Sequence, residues 1–410
     1  MQPKKGVLQV SATGYSLRSY GGMITCEPRM PAYADALRNG VSQGSRVIDL
    51  GAGPGVFALL AHKLGAGHVT VIEPDPSIEI ARRAASDNGC SDQFEFVRGL
   101  STSYEPQEKA DLIVSDIRGV LPLFEHHIPT ICDVRDRLLK PGGTQIPVRD
   151  FIFAALVEVP CVYSRYSKPW LENSYGLDLS AGYSTVINSW IRTYQDASAL
   201  LTDPELFATL DYRTVEETNY EARISLETHR AGTAHGILLW FDTELAPGIG
   251  FSNAPGEPEQ IYGQAFFPLE RPVILGDHAT ADVHISAKLV GGDYVWSWAF
   301  RANDTSGEAH NFRQSSFKSA VLDMDSLVPR AANFRPQPNS QHSLDIACLG
   351  LFDGMHTLRD IAAQLMRQFS GRFTDEAAAL NHVADLSARY HRASKAQIIK
   401  GNPQDSSSRS

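Results

Sequence analysis

The chain has no long apolar run. Nowhere in its 410 residues do about 18 apolar residues follow one another, which argues against a membrane-spanning helix. The start Met1-Gln2-Pro3-Lys4-Lys5-Gly6 lacks the apolar core of a signal peptide, so no membrane partner is expected. There is no basic excess either. Lys and Arg number 37 against 47 Asp and Glu, a net charge of −10, which argues against a nucleic-acid partner and suits a cationic one. Paired cysteines are also missing: Cys26, Cys90, Cys132, Cys161 and Cys348 stand apart without a C-x-x-C. That spacing excludes a cysteine zinc site and a disulfide framework, and points to a reducing, cytoplasmic setting without metal. What remains is 43% hydrophobic and 20% charged, the texture of a globular protein, and is long enough for two or three cores.

One stretch carries more information than the rest. Val47 and Ile48 end a short β-branched run; Gly51, Gly53 and Gly55 follow, then a helical stretch over 56–64, a second run at His68–Ile72, and Glu73. Glycines let the backbone turn tightly and approach a ligand, and a carboxylate about twenty residues beyond the first can accept both hydroxyls of a ribose. A purely structural turn would use two of the three for packing. The Gly-x-Gly-x-Gly spacing after Asp49 departs from the dinucleotide fingerprint. It resembles motif I of S-adenosylmethionine-dependent methyltransferases, which implies that cofactor.

From Gly44 to Pro147, strand-like runs (Arg46–Leu50, His68–Ile72, Phe94–Val97, Asp111–Ser115) alternate with helical stretches (Ser77–Asn88, Ile128–Leu139), so an α/β domain with a Rossmann-like parallel sheet is expected over 1–147. Lys140-Pro141-Gly142-Gly143 reads as a turn. After Pro147 alternating strands (Ala222–Leu226, Gly236–Asp242, Val273–Leu275, Ala281–Leu289, Tyr294–Phe300) imply an antiparallel β-barrel domain over 148–328, with 182–210 inserted as helix. Trp296 and Trp298 alternate on one face, as barrel packing would have them. A third, helical domain is expected over 329–395, with helices in His342–Leu351, Thr357–Phe369 and Thr374–Tyr390, and a polar disordered tail over 396–410.

Ser115-Asp116-Ile117-Arg118-Gly119 and onward to Glu125 follows the expected fourth strand, at the sheet edge where ligands bind. Two carboxylates on one loop can converge on a planar guanidinium with its five donors. The alternative is that Asp116 caps a turn and Glu125 opens a helix. His126 or His127 could act as a base, or simply start that helix.

This loop, together with Tyr15, Tyr20, Met23 and Arg29 upstream, Trp170–Ser180 and Ala234–Asp242, resembles the protein arginine methyltransferases over residues 10–320. The resemblance implies a class I fold with a β-barrel and a dimerisation arm over 170–210, hence a homodimer, and an N-methyltransferase acting on a guanidino nitrogen of a protein or peptide. It assigns Arg29 to the cofactor carboxylate, Gly51, Gly53 and Gly55 to the turn, Glu73 to the ribose, Tyr15 and Tyr20 to a lid, and Met23 to the transfer channel. Asp49, Pro74, Thr102 and Ser115 complete the cofactor set, and Asp116 with Glu125 holds the acceptor.

Three features depart from the family pattern. Asp116 replaces Glu, Arg118 stands inside the loop where it can pair with either acid, and the family's Thr-His-Trp reads Gln260, Ile261, Tyr262. Arg118, Gln260 and Tyr262 are therefore candidate acceptor contacts, and a different nucleophile or a cofactor-binding scaffold without turnover stay as alternatives. Residues 343–365 resemble the leader-peptide-binding domain of pyrroloquinoline quinone biosynthesis, implying a peptide partner; a helical appendage is the plainer reading.

Overall fold

The computed structural model describes residues 16–173, 175–321 and 323–390, so Tyr15 and the tail 396–410 lie outside it. The chain divides into two compact units at residues 321 and 322.

In the first unit the parallel sheet consists of β1 (Arg46–Leu50), β2 (His68–Ile72), β3 (Phe94–Val97), β4 (Ala110–Ser115) and β5 (Leu139–Ile146), ordered β3-β2-β1-β4-β5. Strands covered on both faces read as unbroken apolar runs, and Leu112, Ile113 and Val114 are buried in succession. Helices α1 (Leu17–Ile24), α2 (Arg29–Gly40), α3 (Val56–Lys63), α4 (Ile78–Asp87) and α5 (His127–Leu138) accompany it. Tyr33, Ala36 and Leu37 of α2, at helical spacing, share a core with Phe57 and Ala61 of α3. The strand order reverses between β1 and β4, where Leu50 pairs with Ser115, so the glycine turn and the acidic loop leave the sheet side by side. Lys140–Gly143 lies within β5 as an irregularity where the register with β4 shifts, because the strand resumes pairing at Thr144.

The rest of the unit is antiparallel. One sheet runs β7 (Ile191–Thr193), β12 (Gln264–Leu275), β10 (Gly232–Ala246), β6 (Arg149–Val157), β8 (Glu205–Asp211), with β11 (Ile249–Ser252) paired to β10; the other runs β15 (Ala309–Ser315), β14 (Asp293–Asn303), β13 (Thr280–Val290), β9 (Tyr220–Glu227). Trp296 and Trp298 are buried against Phe267 at ring-centroid distances of 5.2 Å each, which ties the two sheets together. The arm holds α6 (Pro160–Leu171) and α7 (Ser180–Val186). The helix expected over 182–210 ends at Val186: Ile191–Thr193 pair with β12 and Glu205–Asp211 with β6, so sheet edges override local propensity there.

In the second unit, α8 (Met324–Leu327) is a single turn, and α9 (His342–Leu349), α10 (Leu358–Gln368) and α11 (Glu376–Tyr390) enclose a core of Leu344, Cys348, Ile361, Leu365, Val383 and Leu386. Thr357 and Asp360 form a reciprocal capping box at the start of α10. Asp353 and Gly354 (φ 78°) form the turn before it, beyond the end of α9.

Candidate active site

Each of the three glycines is required twice over. Gly51, Gly53 and Gly55 have φ of 67°, 52° and 80°, and a Cβ on them would lie 2.3 Å from Ile117 Cγ2, 2.5 Å from Tyr20 Cε1 and 2.7 Å from Ala81 Cβ. Gly55 thereby lets α3 pack on α4, and Gly53 lets the Tyr20 ring lie on the turn, with Ser77 Oγ donating to the Tyr20 hydroxyl at 3.3 Å. Tyr20 thus lies over the glycine turn. Glu73, buried at the end of β2, accepts Gly53 N–H and Asp75 N–H at 2.8 Å each, which holds its carboxylate rigidly against the turn. Burial raises its pKa despite those two donors. Asp49 accepts Ala58 N–H at 2.8 Å and is pushed by burial up to about 7. Its Oδ1 and the Ser115 Oγ are buried without a hydrogen-bond partner, which leaves polar capacity at the edge where β1 and β4 meet. Glycine cradle, fixed acid and unspent polar atoms fit a cofactor carrying a ribose and an amino acid. Thr102 and Pro74, by contrast, are exposed at the rim.

Beside this cradle lies a buried charge cluster. Arg29 Nε donates to Asp116 Oδ2 at 2.5 Å, while its Nη1 reaches the Met23 carbonyl at 3.2 Å and Met30 Sδ at 3.1 Å. Arg118 Nε donates to Asp116 Oδ1 at 3.1 Å; its Nη1 reaches Asp150 Oδ1 at 2.9 Å and Thr243 Oγ1 at 2.8 Å. Its Nη2 reaches the hydroxyls of Tyr33 at 2.7 Å and Tyr262 at 3.5 Å. Tyr262 Oη donates in turn to Asp116 Oδ2 at 2.6 Å. Two acids and two guanidinium groups balance, as a buried site demands. Burial would raise the Asp116 carboxyl, but Arg29 and Arg118 overcome it and hold it below the usual carboxylate range.

Of the sequence-expected residues, Arg29, Asp116, Arg118 and Tyr262 meet in this cluster, and Gln260 and Glu125 lie outside it. Arg118 is not an acceptor contact: its side chain is 0% exposed and lies inside the cluster. Tyr262 is also enclosed and serves Asp116, and Gln260 is buried with its Nε2 on the Ser252 carbonyl. Glu125 stands apart from the cluster, exposed, with no ion pair among the described residues and a strained φ of 40°. Such strain in a non-glycine residue is typical of a functional position. His126 lies against Gly292 rather than any acid. His127 is buried, its Nδ1 at 2.6 Å from the Pro122 carbonyl, and burial lowers it to about 4, so it is neutral.

Sequence reasoning missed Asp150, Tyr33 and Thr243. The signal for Asp150 was available. It shares the inward phase of β6 with the buried Ile152, and a carboxylate on a core face needs a buried cation.

Comparisons agree with this architecture. Residues 149–300 match the model of the arginine methyltransferase oligomerization subdomain, and residues 34–146 match that of ribosomal protein L11 methyltransferase. Among curated proteins, a probable histone-arginine methyltransferase of Oryza sativa is 31% identical over 60% of this chain and 49% of its own length. An arginine N(omega)-methyltransferase of Streptomyces achromogenes is 28% identical over 62% of this chain and 72% of its own. The chain spans about half the length of the first of these. Of solved structures, the Trypanosoma brucei PRMT1 enzyme–prozyme complex with AdoHcy superposes with a TM-score of 0.66 at 20% identity, covering 72% of this chain and 97% of that one. Arabidopsis thaliana protein arginine methyltransferase 10 gives 0.65 at 18%, covering 73% and 97%. In fold, this chain is similar to the arginine methyltransferases: a Rossmann-like parallel sheet joined to antiparallel sheets.

Proposed function

We propose that the chain is an S-adenosylmethionine-dependent N-methyltransferase acting on a guanidino nitrogen of a protein or peptide, as a cytoplasmic homodimer. One observation carries the reading. Arg29, the residue assigned to the cofactor carboxylate, touches Asp116, the residue assigned to the acceptor, so donor and acceptor poles adjoin at the β1/β4 edge. The names of the matched relatives support the acceptor class. The free thiols, with Cys26, Cys90 and Cys348 buried, support a reducing compartment.

S-adenosylmethionine, when bound, supplies an electrophilic sulfonium methyl. The glycine turn, Glu73 toward a ribose, Arg29 toward a carboxylate and Tyr20 as cover would hold it, with Met23 lining the channel and Asp49, Pro74, Thr102 and Ser115 completing the set. Asp116, kept ionised by its arginines, and Glu125 at the mouth then orient the acceptor nitrogen, and Glu125 passes the released proton to solvent. Positioning contributes most of the rate. Residues 1–147 serve the cofactor, 148–328 the acceptor and the dimer, and 329–395 a peptide.

Isothermal calorimetry with S-adenosylhomocysteine tests the donor half. Wild type should bind, and Glu73→Ala should bind at least about tenfold more weakly, the loss expected of two charge-assisted hydrogen bonds. No binding by wild type would overturn the reading.

A second reading, a different nucleophile, draws on the engagement of Asp116 by Arg29, Arg118 and Tyr262.

A further inference from the structure

All five N–H donors of the Arg118 guanidinium are spent within the chain: one on Asp116, one each on Asp150 and Thr243, and one each on Tyr33 and Tyr262. Its plane also lies over aromatic rings, with the central carbon 5.2 Å from the Phe241 centroid, 5.7 Å from Phe251 and 5.6 Å from Tyr262. Two carboxylates, three hydroxyls and an aromatic floor make up a receptor for a guanidinium ion, and the occupant is covalently part of the loop that also carries Asp116.

The geometry points to Arg118 as the specificity-determining residue of the site: it fills a guanidinium receptor in cis, so an acceptor meets Asp116 by one edge only, at Oδ2. Arg29 and Tyr262 both donate to Oδ2. Where Arg29 turns to a cofactor carboxylate, Oδ2 keeps Tyr262 and gains one lone-pair direction; Oδ1 stays committed to Arg118. A fork-to-fork clamp on Asp116, which would recognise an arginine side chain bidentately, is closed off. The acceptor is then a guanidino group that offers a single N–H to Asp116 and the remainder of its charge to Glu125. This inference rests on Asp116 belonging to the acceptor site. Its test is independent of turnover.

The experiment is chemical rescue read as a melting temperature. Arg118→Ala leaves Asp116 and Asp150 facing an emptied niche. Adding about 20 mM guanidinium chloride should raise its melting temperature by roughly 3–6 °C over the same concentration of sodium or ammonium chloride, as for a ligand of about millimolar affinity. Wild type, its niche filled, should show no such difference. An R118A variant that rises no further with guanidinium than with sodium, or a wild type that rises equally, would overturn the inference. Should R118A be unfolded in both salts, Arg118→Lys decides. An ammonium has three donors and no fork, so R118K should melt several degrees below wild type, and equal melting would overturn the receptor. A protein that shows rescue but no methyl transfer would refute the proposed activity and leave the receptor intact.

Discussion

Asp116 and Glu125 are paired in sequence but differ in physical circumstance, so their substitutions should part ways. Glu125→Gln alters an exposed side chain without an ion pair among the described residues, and should lower methyl transfer about 10²-fold while leaving melting and S-adenosylhomocysteine affinity nearly unchanged. Asp116→Asn removes the counter-charge of two buried guanidinium groups and should cost about 3–5 kcal/mol of stability as well as activity, measured by denaturant unfolding. Equal melting of the two variants would contradict the cluster. Asp49 and His127 give a pH signature of opposite signs. Asp49, with its pKa raised to about 7, keeps a proton in the folded state that the unfolded chain has lost above about 4, so its contribution falls as pH rises through 4–7. His127, lowered to about 4, is neutral when folded while the unfolded chain takes up a proton below about 6.5, so its contribution rises over 4–6.5. Asp49→Asn removes the first alone. Its stability should climb more steeply than that of wild type between pH 4.5 and 6.5 by urea titration, and parallel curves would refute the assignment.

Among the elements, the glycine turn was legible because three φ-positive glycines between two β-branched runs leave few alternatives, and β1 to β3 lie where those runs place them. Helix α10 was legible from its Thr-capped start. The stretch after Val186 was not, since Ile191–Thr193 and Glu205–Asp211 take their conformation from strands more than 50 residues away. In the arm, α6 ends near Trp170 and Leu171, and Leu171, Tyr175 and Leu177 are more than half exposed. So many large apolar side chains at one loop mark an association surface. Leu171→Asp with Leu177→Asp should convert dimer to monomer in sedimentation velocity at micromolar concentration without changing the melting of the fold, and a persistent dimer would show that another surface is used.

For the whole molecule, the two units have separate hydrophobic cores. A truncation after residue 321 should keep S-adenosylhomocysteine affinity within about twofold, as expected where each unit has its own core. Tenfold weaker cofactor binding would contradict the division. The composition excess of acid over base suited a cationic acceptor only in outline. It could not show that one arginine of the chain itself would take the place prepared for a guanidinium, because Asp116, Asp150, Thr243 and Tyr262 come together only when the parallel sheet and the antiparallel sheets meet. The central claim, methyl transfer to a guanidino nitrogen, is met most directly by incubating the full chain with labelled S-adenosylmethionine and a panel of arginine- and lysine-containing peptides, then locating the mark by mass spectrometry. The account predicts label on arginine nitrogen, lowered about 10²-fold in Glu125→Gln; label on lysine or another side chain, or none despite cofactor binding, would contradict it.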